Sequence, residues 1–435
     1  MATEQNLVTS QGQRIAIVAG LRTPFTQKDT GFKDAYAIDL GTMVTNELLN
    51  RVGIDRTLIQ QLIFGQVTQH ADIQNISRGI AINLGLAHTQ AYTISSSCVT
   101  GLQTVANLTS SIVSGSVTAG IAGGADSVSN SSISLNSRMM QRLKDILNAQ
   151  GVENKYELLK QLSLDDLKPH STSQKDYITD LSVADVSEQM AKNFGISRQE
   201  QDEYTARSHR LIGEAWLNGN LRDEVMISFP PPYENFVVAD NLFETSLKSS
   251  RYGKFQPVAD KKYGSVTDWN TSKGCDGAGA VMLMREDIAK AQGLTALGYI
   301  RSYAMTGNDV WDNMLSGMTY ASSLALLRAD VSVQDINLID FHESSAAQVL
   351  ANLCLFESDE FAREKLNRTS AIGAIDMDKF NVLGGSLGIG NPRAVTGIRV
   401  LIQNLFELQR RGGGLGLVAC SGLGGLGAAM VLETE

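Results

Sequence analysis

Residues 79–125 read GIAINLGLAHTQAYTISSSCVTGLQTVANLTSSIVSGSVTAGIAGGA, and no Asp, Glu, Lys or Arg occurs among them. So long a stretch without charge, in a chain of otherwise ordinary composition, must lie mostly in the interior. Within it, Ala91–Ser95 has the pattern of a short strand and Ala119–Ala125 that of a second, buried strand. The apolar residues after Cys98 keep helical spacing, so the stretch predicts a strand, a helix that starts near Cys98, and another strand.

Outside this stretch the chain changes composition twice. Residues from about 127 to 256 are polar and charged, and Ser197-Arg-Gln-Glu200 forms a capping box that opens a helix ending near Asn218-Gly219. We interpret this zone as an inserted, mainly helical domain. From Gly264 onward, short apolar strands alternate again with helices, which favours two α/β units on either side of the insertion.

Composition excludes several classes of protein. The 435 residues carry a formal net charge of −9 without a basic tract, which argues against a nucleic-acid partner. The four cysteines are widely spaced, so neither a disulfide framework nor a zinc site is expected. The N-terminal MATEQNLVTSQGQR has no apolar run, and the glycine-rich Gly412–Leu432 favours strand, turn and strand over a membrane helix. We therefore expect a cytosolic protein without a transmembrane segment.

Two residues stand where an α/β fold places reactive groups. Cys98, in SSSCVTG, would face the free N–H groups and positive dipole of a helix start, which favour the thiolate that attacks thioesters. The alternative is a packed core cysteine. His342, in DFHESSA, follows the apolar strand Ile336–Ile339, where it is either an active-site group or a surface histidine.

Two glycine-rich segments add weaker signals. NVLGGSLGIGNP, residues 381–392, predicts a turn leading to a helix, through which a backbone can approach a ligand closely. Cys420-Ser421-Gly422 lies in the C-terminal glycine-rich segment, where a backbone N–H could contribute to an oxyanion hole. A buried structural cysteine is the alternative there. Neither segment stands in a dinucleotide-binding context, and no metal or redox cofactor is implied.

Taken together and in their order, these motifs resemble the thiolase family over nearly the whole chain. They are RIAIVAGLRTPF (residues 14–25), the Cys98 segment, GIAGGADSVS (120–129), GSVTDWNTSKGCDGAGA (264–280), His342-Glu343, NVLGGSLGIGNP and Cys420-Ser421-Gly422. The HE pair and the C-terminal RRGGGLGLVACSGLGGLGAAMVLE look most like the thiolase subunit of fatty-acid β-oxidation multienzyme complexes.

The resemblance implies a fold and its borders. The expected fold is α/β, a five-layered αβαβα arrangement made of two similar halves with an inserted, mainly helical loop domain. The N-terminal half would comprise residues 1–127 and 257–290, the loop domain residues 128–256, and the C-terminal half residues 291–435. The loop domain would bind coenzyme A.

The resemblance also implies an activity and the residues that perform it. Members of the family cleave 3-ketoacyl-CoA with free coenzyme A to acetyl-CoA and a shortened acyl-CoA, or run the reverse condensation. Cys98 would be the nucleophile that becomes acylated, and Cys420 the acid/base. The N–H groups of Cys98 and Gly422 would hold one thioester oxygen, and His342 would help to hold the other.

Substrate contacts and partners follow from the same resemblance. Ser272 matches a position that contacts coenzyme A, and Met314 matches a position in the acyl pocket. Coenzyme A and acyl-CoA are substrates rather than cofactors. Homodimers or tetramers are expected, with a hydratase/dehydrogenase subunit as a further partner of the subtype resembled.

One residue departs from the family pattern. Where the family reads glycine–histidine–proline, this chain reads Gly390-Asn391-Pro392, and asparagine donates hydrogen bonds but cannot act as a base near neutral pH. In one hypothesis His342 takes over the missing role in a working thiolase. In a second, Cys98, His342 and Asn391 form the Cys–His–Asn set of decarboxylating ketoacyl synthases. In a third, the chain is a non-catalytic acyl-CoA-binding scaffold. Cys420 favours the thiolase, because decarboxylation needs no second cysteine.

Overall fold

The computed structural model describes residues 7–132, 134–163, 169–170, 175–246 and 249–435. The strands are β1 Ile15–Arg22, β2 Thr26–Gln27, β3 Gln61–Gly65, β4 Gln90–Ile94, β5 Ala119–Asp126, β6 Ser134–Leu135, β7 Pro169–His170, β8 Cys275–Arg285, β9 Gly298–Gly307, β10 Leu338–Phe341, β11 Gly414–Gly422 and β12 Leu426–Thr434. The α-helices are α1 Ala37–Val52, α2 Ile76–Asn83, α3 Thr100–Val113, α4 Ser137–Asn148, α5 Val152–Lys160, α6 Val183–Asn193, α7 Arg198–Leu217, α8 Glu286–Ala291, α9 Gly317–Ala329, α10 Ala346–Phe356, α11 Asp359–Lys365, α12 Ser386–Ile389 and α13 Thr396–Arg410.

The main sheet contains the same strand arrangement twice. Its order is β10-β11-β12-β9-β1-β8-β5-β3-β4, with β2 paired to β8. In the first half, β1 is antiparallel to β8, β8 is antiparallel to β5, and β5 is parallel to β3. In the second half, β9, β12, β11 and β10 repeat these directions in the same order. A short antiparallel pairing of β1 with β9 joins the halves, so a duplication that the sequence hides is plain in the topology.

The helices add three layers to the two halves of the sheet. Helices α3 and α13 lie between the halves and share one apolar cluster, which includes Leu102, Val105, Ile398 and Leu401. Helices α1 and α2 cover the outer face of the first half, and α9 and α10 cover the outer face of the second. The order is therefore helix, sheet, helix, sheet, helix, which confirms the expected five-layered thiolase-like fold.

The central helices approach each other closely because the second residue of each is glycine. A Cβ added at Gly101 would lie 2.7 Å from the Ile398 backbone nitrogen, and one added at Gly397 would lie 2.4 Å from that of Leu102. Both distances are shorter than any real contact of a Cβ atom. The starts of α3 and α13 are thus brought together, and with them the residues just before each helix.

The polar zone between β5 and β8 contains helices α4 to α7 and the small sheet β6–β7. Residues 133, 164–168, 171–174 and 247–248 of this zone lie outside the described residues. The capping box predicted at Ser197 is confirmed, and α7 ends at Leu217, beside the predicted Asn218. The fully buried Arg22 of β1 binds Glu224 at 2.9 Å and Asp240 at 2.8 Å, which anchors this zone to the first half.

Local predictions around the charge-free stretch are confirmed. The predicted strand Ala91–Ser95 is β4, the predicted Ala119–Ala125 is β5, and the intervening helix starts at Thr100. The glycine-rich C-terminal segment forms β11, a turn and β12. Within the described ranges, no helix combines the length and the apolar character needed to cross a membrane.

A buried carboxyl in β10 makes stability depend on pH. Asp340 Oδ2 accepts a hydrogen bond of 2.9 Å from Asn404 Nδ2. Asp340 Oδ1 and Asn404 Oδ1 are both buried, and neither has a hydrogen-bond partner among the described atoms. Burial raises the pKa of Asp340 from 3.8 to about 7, so the protonated carboxyl is favoured in the folded state.

We expect Asp340→Asn to stabilise the fold at high pH. The folded-state pKa lies above the unfolded value, so the folded protein holds an extra proton between pH 4 and 7, and stability falls as pH rises through that window. The variant has no group that titrates at this position, so its free energy of unfolding at pH 8 should exceed that of the wild type by on the order of 3 kcal/mol. Urea unfolding at pH 8, 6 and 4 should show this gain shrinking towards zero. A variant less stable than the wild type at pH 8 would contradict it.

Candidate active site

Cys98 stands on a strained turn between β4 and α3. The residue before it, Ser97, has a φ of +51°, a conformation that non-glycine residues seldom adopt. Thr100 Oγ1 donates to the Ser97 carbonyl at 2.6 Å and accepts from the Ser96 N–H at 2.8 Å, which holds the turn in place. The turn sets Cys98 at the entrance of α3 with 6% of its surface exposed.

Cys98 opens onto a cavity of about 620 Å³. Its wall combines the loop after β3, the Cys98 turn, the segment before β8 and the start of α13. The residues concerned include Val67, Thr68, Ser97, Cys98, Thr271, Ser272, Gly274, Asn391, Arg393 and Leu423. Lys175, Asp176 and Tyr177 of the inserted zone also line it. The cavity is large enough for the reactive end of an elongated ligand.

Asn391 is the centre of the polar contacts beside Cys98. Its Oδ1 accepts a hydrogen bond of 2.7 Å from Thr396 Oγ1, which orients the amide. Its Nδ2 consequently points into the site, 3.6 Å from Cys98 Sγ and 3.4 Å from His342 Nε2. Asn391 is therefore a fixed hydrogen-bond donor to the sulfur and has no capacity to take its proton.

His342 presents a donor to the same point. The ring is fully buried, and Nδ1 lies 2.8 Å from Ser386 Oγ. Ser386 Oγ also accepts a hydrogen bond of 3.1 Å from Arg399, which can only donate. The hydroxyl proton is then free to go to Nδ1, and on this basis we assign the ring's own N–H to Nε2. Two N–H groups 3.4 Å apart cannot bond to each other, but they can share one acceptor atom.

The His342 environment opposes a role as base. Burial, together with the charge of Arg399, lowers the pKa of His342 from 6.5 to about 3. An Nε2 that already carries a proton cannot accept one from Cys98. The hypothesis that His342 replaces the missing histidine as proton acceptor therefore finds no support in this geometry, whereas a role in holding an oxyanion does.

We expect Ser386→Ala to change the His342 tautomer. Without the hydroxyl, Nδ1 loses its donor, and a larger fraction of rings should carry the proton on Nδ1. ¹⁵N NMR of the ring nitrogens should report this shift, with thiolysis by the variant about 10- to 100-fold slower because one oxyanion donor is weakened. Ser302→Ala, which removes another buried hydroxyl bonded at 2.7 Å to a backbone carbonyl, is the control and should leave the tautomer unchanged. An unaltered tautomer in Ser386→Ala would refute the assignment.

Glu343, next to His342, has a structural task. Its carboxylate accepts hydrogen bonds of 2.8 Å each from Tyr204, Ser208 and Asn381, and one of 3.0 Å from the Leu387 N–H. These partners come from α7 of the inserted zone and from the glycine-rich turn. The two residues of the HE pair therefore have different roles. The histidine faces the site, and the glutamate holds the surrounding segments together through hydrogen bonds.

Burial dominates the chemistry of the two cysteines. It raises the pKa of the Cys98 thiol, opposed by the hydrogen bond from Asn391 and the charge of Arg393. The free N–H groups at the start of α3 favour the thiolate, whereas burial of the sulfur opposes it. Cys420 is fully buried in the apolar cluster between the halves rather than in the cavity wall, and burial raises the pKa of its thiol strongly.

The other predicted site residues lie at different distances from Cys98. Gly422 touches the nucleophile, since a Cβ added there would lie 3.3 Å from the Cys98 backbone nitrogen. Ser272 lines the cavity, 3.5 Å from Asn391 Nδ2. Met314 does not line the cavity and packs behind Leu423, which does.

Sequence reasoning missed the residues that support the site. Ser386, Thr396 and Arg399 are ordinary in sequence, and their roles depend on contacts made through the fold. Arg393 did carry a signal, because it is the first charged residue after Asn381 in a glycine-rich stretch that is otherwise uncharged. It follows Asn391 by two positions and lines the same cavity.

Comparison with known proteins points in one direction. The family models for the thiolase N-terminal and C-terminal domains match residues 15–287 and 294–434. A 3-ketoacyl-CoA thiolase of Yersinia enterocolitica is 49% identical, and one of Yersinia pestis is 50% identical, each over 430 residues covering 99% of both chains.

Solved structures agree. Human mitochondrial 3-ketoacyl-CoA thiolase superposes with a TM-score of 0.83 at 26% identity, covering 99% of this chain and 100% of that one. The same human enzyme in complex with CoA gives a TM-score of 0.81 at 25% identity, with 97% and 98% coverage. Bacillus anthracis acetyl-CoA acetyltransferase gives 0.81 at 27% identity, again with 97% and 98% coverage.

Proposed function

The chain belongs to the thiolase family, and on this premise we propose that it is a 3-ketoacyl-CoA thiolase of fatty-acid β-oxidation. This acyltransferase cleaves 3-ketoacyl-CoA with free coenzyme A to acetyl-CoA and a shortened acyl-CoA, through an acyl group on Cys98. The observation that carries the proposal is the convergence of Cys98 Sγ, Asn391 Nδ2 and His342 Nε2 within 3.4–3.6 Å contacts beside a cavity.

The reaction assigns one task to each group. The Cys98 thiol gives its proton to solvent, because neither Asn391 nor His342 can accept it, and the thiolate then attacks the 3-keto carbon. The bond between C2 and C3 breaks, and its electron pair moves to the acetyl-CoA part as an enolate. Asn391 Nδ2–H and His342 Nε2–H hold the enolate oxygen, and C2 then takes a proton. The thiolate of coenzyme A attacks the acyl group and releases Cys98. Overall, the proton taken up at C2 is balanced by the one lost from the thiol of coenzyme A.

Two further groups complete the proposal. The N–H groups of Cys98 and Gly422 hold the oxygen of the acyl-Cys98 thioester, which the close contact of these two backbones supports. Cys420 serves as the acid for C2, and its raised pKa supports this because an acid must keep its proton until the transfer. Ser272 contacts coenzyme A at the cavity wall.

Assembly and location belong to the same proposal. Unpaired cysteines are typical of a reducing compartment, and Cys98, Cys275, Cys354 and Cys420 are all unpaired, which supports a cytoplasmic location. We propose that the chain forms homodimers or tetramers and pairs with a hydratase/dehydrogenase subunit. The inserted zone and the exposed aromatic residues Phe229, Tyr233 and Phe236 are surfaces where such contacts could form.

A second function is favoured by one observation. Cys98, His342 and Asn391 converge through Asn391 Nδ2, whereas no hydrogen bond joins Cys420 to any of them within the part of the chain that the structure describes. A decarboxylating condensing enzyme needs the first three groups alone, because loss of CO₂ generates the carbanion without an acid or base at C2. Release of CO₂ from malonyl-CoA, dependent on acyl-CoA, would identify it.

The decisive experiment is thiolysis by the purified protein. 3-Ketoacyl-CoA substrates of 4 to 16 carbons (about the range of β-oxidation intermediates) are incubated with free coenzyme A, and acetyl-CoA and the shortened acyl-CoA are identified by mass. Turnover with both products in equal amounts supports the proposal. A folded protein that cleaves none of them, with CO₂ released from malonyl-CoA, would replace it with the second function.

A further inference from the structure

Arg393 is a charged group in the cavity wall that the reaction described above does not use. The side chain is half-buried and belongs to the lining of the cavity that contains Cys98. Its Nη1 donates a 3.3 Å hydrogen bond to Thr68 Oγ1, and its Nη2 lies 3.9 Å from where a Cβ at Gly274 would stand. Thr68 and Gly274 also line the cavity, so the guanidinium itself is at its surface.

The carboxylate of Asp126, which interacts electrostatically with Arg393, is already hydrogen-bonded to the backbone. Asp126 accepts hydrogen bonds from the N–H groups of Val67 at 3.0 Å and Thr68 at 2.7 Å on one oxygen, and from that of Ala394 at 2.8 Å on the other. Within the described ranges, Arg393 forms no ion pair. Its one side-chain hydrogen bond to a described residue, the one to the Thr68 hydroxyl, leaves most of its five N–H donors available.

Other charges in the cavity wall are paired or occupied. Lys175 lies 3.1 Å from Asp180. Asp176 Oδ1 accepts hydrogen bonds from the N–H groups of Ile178 at 3.1 Å and Thr179 at 2.9 Å. Arg393 therefore has donors to spare for a ligand, and a half-buried guanidinium of this kind matches a carboxylate or phosphate in shape and charge.

The position of Arg393 decides which anion it can meet. It stands two residues after Asn391, which contacts Cys98 Sγ, and its charge is close enough to oppose the burial of the Cys98 thiol. The phosphates of coenzyme A are separated from the thioester by the whole pantetheine arm. A substrate with its 3-keto carbon at Cys98 keeps its phosphates a pantetheine arm away from the sulfur, which favours an anion in the acyl part as the partner of Arg393.

We propose that Arg393 selects substrates whose acyl chain ends in a carboxylate, that is 3-oxo-dicarboxylyl-CoA rather than the neutral 3-oxoacyl-CoA. This inference rests on the thiolysis proposed above and specifies its substrate class. The bonds made and broken are those already described, and the distal carboxylate stays intact. Arg393 acts through a charge-assisted hydrogen bond to that carboxylate, at a distance from C2 and C3 set by the chain length.

Matched substrates test the selection. 3-Oxoadipyl-CoA and 3-oxohexanoyl-CoA have the same number of acyl carbons and differ in the terminal carboxylate. The wild type should prefer the first by about 10- to 100-fold in kcat/KM, the factor expected of a hydrogen bond to a charged group. Arg393→Met should lose this preference, and Arg393→Lys should keep part of it. Arg51→Met, which removes an exposed arginine of α1, is the control and should leave the preference unchanged.

Three outcomes would overturn the inference. The first is a wild-type preference for the neutral substrate. The second is an equal loss on both substrates in Arg393→Met, which would mean that Arg393 serves the Cys98 thiolate. The third is release of CO₂ from malonyl-CoA that depends on Arg393, which would place the bound carboxylate at the reacting carbon.

A binding experiment tests the role of Arg393 independently of whether the protein cleaves any substrate. Adipyl-CoA and hexanoyl-CoA lack the 3-keto group and cannot be cleaved, so calorimetric titration measures their selection without turnover. Tighter binding of adipyl-CoA that disappears in Arg393→Met would support the role of Arg393 even if no substrate were cleaved. Equal binding of the two by the wild type would reject that role even in an active thiolase.

Discussion

Cys98→Ala is expected to lower kcat/KM for thiolysis by at least about 10⁴-fold, the largest effect of any single substitution in this protein. The thiolate forms the bond that carries the acyl group, and no neighbouring side chain can replace it. The remaining donors at Asn391 and His342 would still bind the substrate oxygen but would have no nucleophile to serve. Steady-state kinetics of the purified variant, at the chain length best cleaved by the wild type, measures the loss.

A covalent readout separates this role from a general loss of structure. Wild-type protein incubated with 3-ketoacyl-CoA in the absence of coenzyme A should gain the mass of the acyl group on the peptide that contains Cys98, and the variant should gain none. Cys354→Ala removes the exposed cysteine of α10 and should behave like the wild type. Acylation of Cys98→Ala at another cysteine, or turnover within tenfold of wild type, would be incompatible with Cys98 as the nucleophile.

Substitutions at Asn391 should produce the second-largest changes in the rate of thiolysis. Alanine should lower the rate, and histidine should raise it. Asn391→Ala removes the donor that lies 3.6 Å from Cys98 Sγ, and we expect kcat to fall about 10²- to 10³-fold, as for other oxyanion donors. Asn391→His restores the residue that the family places here and adds a group able to take the Cys98 proton. General-base assistance typically contributes 10²- to 10⁴-fold, so an increase of about tenfold or more is expected in the acylation step.

Single-turnover acylation, followed by quenching and mass analysis, measures both variants at the step concerned. Asn391→Asp is the matched control for shape, because it keeps the acceptor for Thr396 but replaces the donor with a negative charge beside the sulfur. Its acylation should be slower than that of Asn391→Ala. A loss of activity in Asn391→His with the fold intact would mean that the buried site is built around the amide and cannot accommodate an imidazole.

Several elements were predictable because their causes are local. The charge-free stretch predicted β4, the start of α3 and β5, since burial of that length leaves few alternatives to a buried strand, helix and strand. The helix α7 was predictable from its capping box, where the signal and its structural consequence lie within four residues. The order of the motifs predicted the family. Through the family it also predicted the fold and named Cys98, His342 and Asn391 as candidate site residues.

Other features depended on segments far apart in the chain. The duplication of the strand order involves residues whose similarity has been lost, since many apolar sequences satisfy the same sheet positions. The protonated atom of His342 depends on Ser386 and Arg399, which belong to α12 and α13. The depth of Cys420 depends on the packing of α3 against α13, so its place in the motif did not reveal that it lies behind the cavity wall.

The sequence by itself determined the family, because its motifs occur in a fixed order, and through the family it predicted the order of the layers and the candidate nucleophile. Only the tertiary structure decided what the nucleophile's neighbours can do. Protonation, donor direction and pairing depend on burial and on contacts between distant segments, as at His342, Asn391 and Arg393. The residue type determines which atoms of a side chain can bind a proton. The surroundings of that side chain in the folded protein determine whether the proton is bound.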